Sequence, residues 1–127
     1  MSMDYSNFKN MTSYEFLCWL EETFPVRIPE RITSKNDMDV AANELLKLSS
    51  EYAYMSTLSS WFKMATREAK RYESKEEYEN MVDKRDACEA KLKSIEQSYK
   101  GISRAVTIRM ENNAELRMTG AGTRHIA

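Results

Sequence analysis

The residues that come nearest to catalytic chemistry in this 127-residue chain are its paired carboxylates. Glu21–Glu22 and Glu76–Glu77 could supply a general acid and a general base, a task that needs two carboxyl groups in different environments. Both pairs lie in charge-rich segments with apolar residues at helical spacing, so their side chains are expected on solvated helix faces. The sequence therefore predicts a protein that is not an enzyme.

Nucleophilic and metal chemistry are not indicated either. The chain has one histidine, His125, and two cysteines, Cys18 and Cys88, at spacings that match no metal site and no Cys–His pair. Its glycines are too few and too scattered for a phosphate-binding loop. Cys88 falls on an apolar stripe and is expected to be a buried thiol in a reducing cytosol. The sequence predicts no cofactor and no metal.

Basic residues close to aromatic ones are the remaining candidate chemistry, because cations bind phosphates and nucleic-acid bases stack on rings. One such run is "WFKMATREAKRY", and further arginines follow toward the C-terminus. The whole chain carries 19 basic and 20 acidic residues, so ordinary surface charge is the competing interpretation. The candidate residues for binding single-stranded DNA are Lys63, Arg67, Lys70, Arg71, Arg104 and Arg109.

Composition indicates the class of fold that must position these residues. The chain has only three glycines and two prolines, and a scarcity of both helix breakers favours long helices over a sheet-rich fold. No stretch is apolar for long enough to span a membrane, and the start "MSMDYSNFKN" lacks the regions of a signal peptide. We therefore expect an all-α, cytoplasmic protein without membrane contact, with a single helical domain over residues 1–118.

A short helix is predicted over residues 13–23, in "TSYEFLCWLEETFP". Thr12 and Glu15 have the spacing of a capping box, in which each side chain satisfies a free backbone N–H of the other. Pro25 ends the helix, since the residue before a proline avoids the helical conformation. The proline-containing segment 24–34 is expected to form an extended connector.

Two long helices account for most of the remaining chain. They are predicted over residues 35–72 and 75–118, with apolar residues at alternating spacings of three and four, the a/d pattern of coiled coils. If the chain turns back between them, Leu48 faces Tyr99 and Met55 faces Leu92. The fold class that follows is a long antiparallel helical hairpin, coiled-coil-like, with the short N-terminal helix packed on it. The residues predicted at the middle of its core are Leu48, Tyr52, Met55, Leu92, Ile95 and Tyr99.

The segment "YESKEEYE", residues 72–79, is predicted to be the corner of the hairpin. Ser74 and Glu77 have the spacing of a second capping box. Acidic residues follow the break, where a helix N-terminus favours negative charge, and Lys70 and Arg71 precede it, where a helix C-terminus favours cations. Two helix ends explain this arrangement, and one continuous helix does not.

Arg85 is the one charged residue in the predicted seam of the second long helix. A stem that packs inward with a guanidinium reaching out to water, or stacked on a ring, is the ordinary interpretation. A residue that fixes the register or contacts a ligand is the alternative. The predicted seam is Tyr78, Met81, Arg85, Cys88, Leu92, Ile95, Tyr99 and Ile102.

The first long helix carries a second apolar stripe, about 110° around its axis from the seam at 100° per residue. One short N-terminal helix is too small to cover the whole of a long arm, so the stripe predicts an interface with a partner. We expect a homo-oligomer or a complex with another protein. The predicted interface residues are Tyr54, Leu58, Trp61 and Ala65.

The C-terminal part has two interpretations. The seam can continue through Val106 and Met110 to the end of the helix at residue 118. Alternatively Gly101 caps the helix, and the alternating "VTIRM" and "AELRM" form a small β-hairpin around "ENN". In either case residues 119–127 are predicted to be a mobile tail.

The runs "LKSIEQSYKGISRAVTIRMEN" and "YAYMSTLSSWFKMATREAKRYE" resemble small helical proteins of phage and prophage early regions. Their style is similar to the T4-type recombination-mediator family, over about residues 40–115, although the chain lacks the basic N-terminal part of that family. The resemblance implies an oligomeric, all-helical protein that loads a recombinase on single-stranded DNA, through Arg104 and Arg109.

Overall fold

The described part of the chain folds into four helices joined by short non-helical segments. The computed structural model describes residues 5–28 and 30–126, with side chains up to residue 113. The two longest helices pack against each other as an antiparallel hairpin, which confirms the predicted all-α hairpin, and the described residues contain no β-strand. The helices are α1 (Tyr5–Asn10), α2 (Ser13–Thr23), α3 (Lys35–Tyr72) and α4 (Lys75–Ile126).

Hydroxyl side chains fix the starts of α2 and α3. The Oγ1 atom of Thr12 accepts a hydrogen bond from the backbone N–H of Glu15 at 3.1 Å, and Ser34 Oγ accepts from Asp37 N–H at 3.1 Å. The carboxylate of Asp37 in turn accepts from the backbone N–H and the hydroxyl of Thr33, each at 2.9 Å. These bonds lower the pKa of Asp37, the backbone bond most of all, because they favour its charged form.

The corner forms as predicted. α3 ends where the N–H of Glu73 donates to the carbonyl of Ala69 at 3.0 Å. The next residue, Ser74, accepts a hydrogen bond from Glu77 N–H at 3.2 Å and so begins α4. The chain therefore reverses direction over two residues, because each helix end satisfies its own free backbone groups.

Helix α1 is the element that the sequence did not predict. It has six residues, "YSNFKN", of which Phe8 is buried, and Tyr5 stacks on Trp61 of α3 with ring centroids 4.6 Å apart. A helix of this length is unstable in isolation, and it is too short for a periodic pattern, so tertiary packing decides that it forms. We call α1, α2 and the connector 24–34 the N-terminal layer.

Aromatic rings attach the N-terminal layer to the hairpin. Phe16 of α2 meets Phe62 of α3 edge-on, with centroids 5.2 Å apart. Trp19 and Phe24 both lie against Tyr54 of α3, at 6.4 and 5.8 Å between centroids. Such pairs stabilise beyond their buried area, so one side of the hairpin is closed by a continuous aromatic cluster.

The buried line of α4 agrees with the predicted seam only at every other position. In each heptad, one of the two predicted residues is buried, such as Cys88. In place of the other, the residue that precedes it is buried, such as Lys84 in place of Arg85. The reason is the N-terminal layer, which packs on the side of α4 that carries Lys84 and Lys91 and draws that side inward. The predicted seam therefore differs from the buried line at alternate positions, of which Tyr78 and Leu92 still pack against the core from its edge. The observed line is Met81, Lys84, Cys88, Lys91, Ile95, Ser98 and Ile102, where Arg85, Leu92 and Tyr99 had been predicted.

Tyr52 and Tyr99 were predicted at the middle of the core and lie at its edge instead. They are 44% and 40% exposed, because the hairpin turns its interior toward the N-terminal layer. Leu92 is half-buried and packs against the core from the same edge. The other predicted core residues, Leu48, Met55 and Ile95, are buried.

The C-terminal part of the chain continues α4. The helix passes through Gly101, and Ile102 is buried while Ala105 and Val106 pack against the core. The helical interpretation of this segment is therefore the one observed, in place of a β-hairpin. The backbone is helical to Ile126, beyond the predicted end at residue 118, and Ala127 lies outside the described residues. The mobility predicted for residues 119–127 stays a prediction.

Candidate functional site

The N-terminal layer packs on one side of the hairpin, which we call the covered face. On it, Lys84 of α4 holds the end of α1. Its side chain is 0% exposed, and its Nζ donates hydrogen bonds to the carbonyl oxygens of Phe8 at 2.8 Å, of Lys9 at 3.0 Å, and of Met11. An ammonium group has three donors, so three carbonyls at the end of α1 satisfy it fully.

Lys91, one heptad further along α4, holds the end of α2 in the same way. Its Nζ donates to the carbonyl of Phe24 at 3.0 Å and lies 3.4 Å from a carboxylate oxygen of Glu21. The last carbonyls of a helix have no partner within the helix and carry partial negative charge. Two lysines at heptad spacing thus cap two successive short helices.

The pKa of Lys84 shows what this burial costs. Desolvation lowers the pKa of the ammonium from its ordinary value, while the charges of Glu77 and Glu15 raise it. The three carbonyl acceptors also favour the ammonium, since a neutral amine has fewer hydrogens to donate. Lys84 and Lys91 are therefore positioning residues, which seat the N-terminal layer on the hairpin.

The connector is fixed by an ion cluster around Arg27. Its guanidinium forms ion pairs with Glu44 and Glu51 of α3, and Nη2 donates to Glu51 at 3.0 Å. The hydrogen bond to Glu51 is the main reason that the pKa of Arg27 is raised. Beside this cluster lies a cavity of about 320 Å³, with Ile32, Ile102 and acidic and basic side chains in its wall.

The apolar stripe predicted as a partner interface lies under the N-terminal layer. Leu58 is fully buried, and Trp61 is stacked by Tyr5. Tyr54 lies against two rings of the layer, and Ala65 is half-buried against the same core. The stripe predicted a partner because α2 alone is too short to cover it. In the structure, α1 and Phe24 cover it together with α2.

The other side of the hairpin, which we call the open face, carries a basic cavity near the corner. It has a volume of about 400 Å³, and both long helices line it. Lys63 and Glu89 approach each other across it at 3.7 Å, and Arg85 pairs with its neighbour Asp86 at 3.2 Å. The lining residues are Lys63, Thr66, Arg67, Lys70, Tyr78, Arg85 and Glu89.

This cavity unites half of the residues predicted to bind single-stranded DNA. Lys63, Arg67 and Lys70 line it together, and Arg85, which the sequence had singled out as the charged residue of the seam, joins them from α4. The remaining predicted residues lie elsewhere. Arg71 and Arg104 are exposed outside the cavity, and Arg109 donates to the carbonyl of Thr33 at 3.5 Å, in the connector.

Leucines and tyrosines continue the open face away from the corner, beside the ion pair of Glu96 with Lys100. On α4, Leu92 and Tyr99 follow Tyr78 and Arg85 at intervals of seven residues, and residues two turns apart lie on the same side of a helix. On α3, Tyr52 and Leu45 precede the cavity residues in the same way. Leu45 and Leu92 are half-buried, and Tyr52 and Tyr99 are exposed.

Comparison of the chain with known proteins does not identify a partner for the open face. No family model, curated protein or solved structure matches this chain. The chemistry of its side chains is therefore what indicates a binding partner.

Metal-binding clusters and the two cysteines can be examined on the described part of the chain. Among the residues that the structure describes, no group of three or more His, Cys, Asp or Glu side chains could hold a metal ion. Burial raises the pKa of Cys88 to about 12, so this thiol is a poor nucleophile. Within the described chain, none of the helices has the length and apolar character needed to cross a bilayer.

Proposed function

We propose that this chain is a non-enzymatic helical interaction protein that binds a protein partner on its open face. The observation that carries the proposal is the asymmetry of the hairpin: aromatic rings and buried lysines close one side, while Tyr52 and Tyr99 stand exposed on the other beside a cluster of cations. Exposed tyrosine and arginine side chains at the rim of an apolar groove are typical of protein interfaces.

The proposed surface replaces the stripe predicted from the sequence. That stripe predicted a partner because one short helix is too small to cover it. The N-terminal layer as a whole lies on it, and Leu58 is fully buried. A second copy of the chain and a phage or host protein are the partners that the sequence favours, and the open face is the surface available to either.

Light scattering combined with tyrosine substitutions tests this proposal. We expect the chain to form a complex heavier than its 14.8 kDa monomer, either with itself at tens of micromolar or with a partner retained during purification. Tyr52→Ala and Tyr99→Ala should each disrupt it. Tyr72→Ala is the matched control, because Tyr72 is 80% exposed and does not line the open face. A monomer without any bound protein would contradict the proposal.

Binding of single-stranded DNA is a second candidate function, favoured by the basic cavity. Lys63, Arg67, Lys70 and Arg85 converge on one site beside the ring of Tyr78, and phosphates with stacked bases match such a site. The resemblance to recombination mediators would imply the same ligand.

A labelled oligonucleotide titrated at several salt concentrations tests this candidate. Its affinity should fall linearly with salt on logarithmic axes, since phosphate contacts release counterions. The double variant Lys70→Ala and Arg85→Ala should lose binding, whereas Arg71→Ala, outside the cavity, should retain most of it. Absence of binding at low salt would reject the candidate.

A further inference from the structure

We infer that the open face binds an amphipathic helix whose polar side is acidic. This inference rests on the proposed function and specifies the partner by its chemistry. The helix would lie along the open face, with apolar side chains over Tyr52, Leu92 and Tyr99. Its carboxylates would meet the basic cavity near the corner.

The dimensions of the open face match a helix of ordinary length. Tyr52 and Lys70 are 18 positions apart on α3, which corresponds to about 27 Å at 1.5 Å per residue. A partner helix of about 18 residues spans the same distance, and it can reach both the apolar part and the cavity at once. Helices that bind in grooves use apolar anchors at this kind of spacing.

The charges of the cavity favour an acidic ligand. Lys63 and Arg85 each have a carboxylate nearby, Glu89 and Asp86. Arg67 and Lys70 face the same cavity and form no ion pair with any side chain that the structure describes. Two cations without counter-charges would gain hydrogen-bonded partners from glutamate or aspartate side chains.

The covered face of the same hairpin already binds a helix of this kind. α2, "SYEFLCWLEET", has apolar residues around much of its surface and acidic residues without any basic one. One of these, Glu21, lies 3.4 Å from Lys91 of α4. The hairpin thus pairs an acidic amphipathic helix with cations of α4 on one side, and Arg85 and the cavity present the same chemistry on the other.

The distribution of charge favours a peptide over single-stranded DNA. A nucleic acid needs cations along its whole path, and the cations that the two long helices bring together line only the cavity near the corner. Arg104 and Arg109, which would have extended the path, are not on the open face. Leu45 and Leu92 at the far end suit apolar side chains and offer nothing to a phosphate.

Fluorescence anisotropy with defined probes tests the inference on the full chain. The first probe is a labelled helical peptide of about 18 residues, with leucines at a and d positions and glutamates at the exposed positions. The second has lysines in place of the glutamates, and the third has the composition of the first without a stripe. An oligothymidine of similar length is the fourth.

Only the acidic amphipathic peptide should bind. Arg67→Glu with Lys70→Glu should weaken its binding by at least about tenfold, and Tyr99→Ala should weaken it as well. The controls Arg71→Glu and Tyr72→Ala should change it less than about twofold. Unchanged circular dichroism and thermal unfolding verify that the variants are folded.

Other results overturn the inference and separate it from the proposed function. Equal binding of the acidic and basic peptides would remove the role of the cavity, and binding of the oligothymidine alone would establish the nucleic-acid candidate. If no peptide binds but the chain self-associates and Tyr99→Ala disrupts the assembly, the open face is a protein interface and only the chemistry assigned to the partner is wrong.

Discussion

Lys84 and Arg85 are adjacent cations on α4, and they differ in burial and in the groups that they contact. Lys84 points to the covered face, where it is fully buried and donates to three carbonyl oxygens. Arg85 points to the open face, where it lines the basic cavity and pairs with Asp86. A rotation of 100° along the helix separates a cation that holds the fold together from one that lines an open cavity.

The same contrast recurs one heptad later and for the aromatic residues. Lys91 caps α2 on the covered face, while Leu92 lies half-buried on the open one. Phe16 is 0% exposed against the hairpin, and Tyr99 is 40% exposed. The covered face should therefore govern stability, and the open face should govern binding.

Phe16→Ala should produce the largest loss of stability. Removal of a fully buried phenylalanine typically costs about 3–5 kcal/mol, because it combines lost transfer free energy with a cavity. Tyr99→Ala on the open face should cost no more than about 1 kcal/mol. Urea denaturation followed by circular dichroism measures both, and equal losses would show that the two faces are not different in kind.

Lys84→Met should follow, with a loss of about 2–3 kcal/mol. The substitution keeps an unbranched side chain, one atom shorter than lysine, but leaves three carbonyl oxygens at the end of α1 without their charged donor. Arg85→Met, one position along, is the matched control and should change the free energy of unfolding by no more than about 0.5 kcal/mol.

Hydrogen exchange would locate the effect of Lys84→Met. Faster exchange in the amides of α1, with α3 unchanged, is expected if the lysine acts by seating that helix. Uniformly faster exchange across the whole chain would contradict this assignment.

Alkaline pH should weaken the fold through Cys88. Its pKa is raised from 9.0 to about 12 by burial, so above pH 9 the unfolded chain loses a proton that the folded chain keeps. The contribution of Cys88 is full below that pH, and it falls by about 1.4 kcal/mol per pH unit as the pH rises toward 12.

The variant Cys88→Ala isolates this effect. The difference in unfolding free energy between wild type and variant should shift with pH above 9 and stay constant below it. Alkylation tests the burial of Cys88 separately. Cys18 is partly exposed and should react with an alkylating agent in the native state, whereas Cys88 should react only on unfolding. Equal reactivity would contradict the burial of Cys88.

Ser59→Ala should have the smallest effect, and it should be stabilising. Ser59 is buried between α3 and α4, and no described group hydrogen-bonds to its Oγ. Removal of a buried hydroxyl without a partner should raise the free energy of unfolding by about 1 kcal/mol. Thr66→Ala is the control, because the Thr66 hydroxyl donates to the carbonyl of Phe62 at 2.6 Å, and this variant should not be stabilised.

Sequence reasoning located the basic cavity in part. Lys63, Arg67 and Lys70 follow one another at spacings of three and four, so any helix brings them to one side. Arg85 joins them from the other arm, and only the packing of the arms places it there. Arg104 and Arg109 do not join them, because they lie far along α4 from the corner in an antiparallel hairpin.

The sequence by itself determined the helices and the corner, because these depend on interactions between near neighbours. Ser34 and Ser74 cap the helices that follow them, and the spacing of apolar residues fixes the helical period. Tertiary structure decided which side of each long helix is the interior. Apolar spacing allows a range of rotations, and the N-terminal layer selected the one that buries Lys84 and exposes Tyr99, because buried carbonyls at the ends of α1 and α2 require a donor that only α4 supplies.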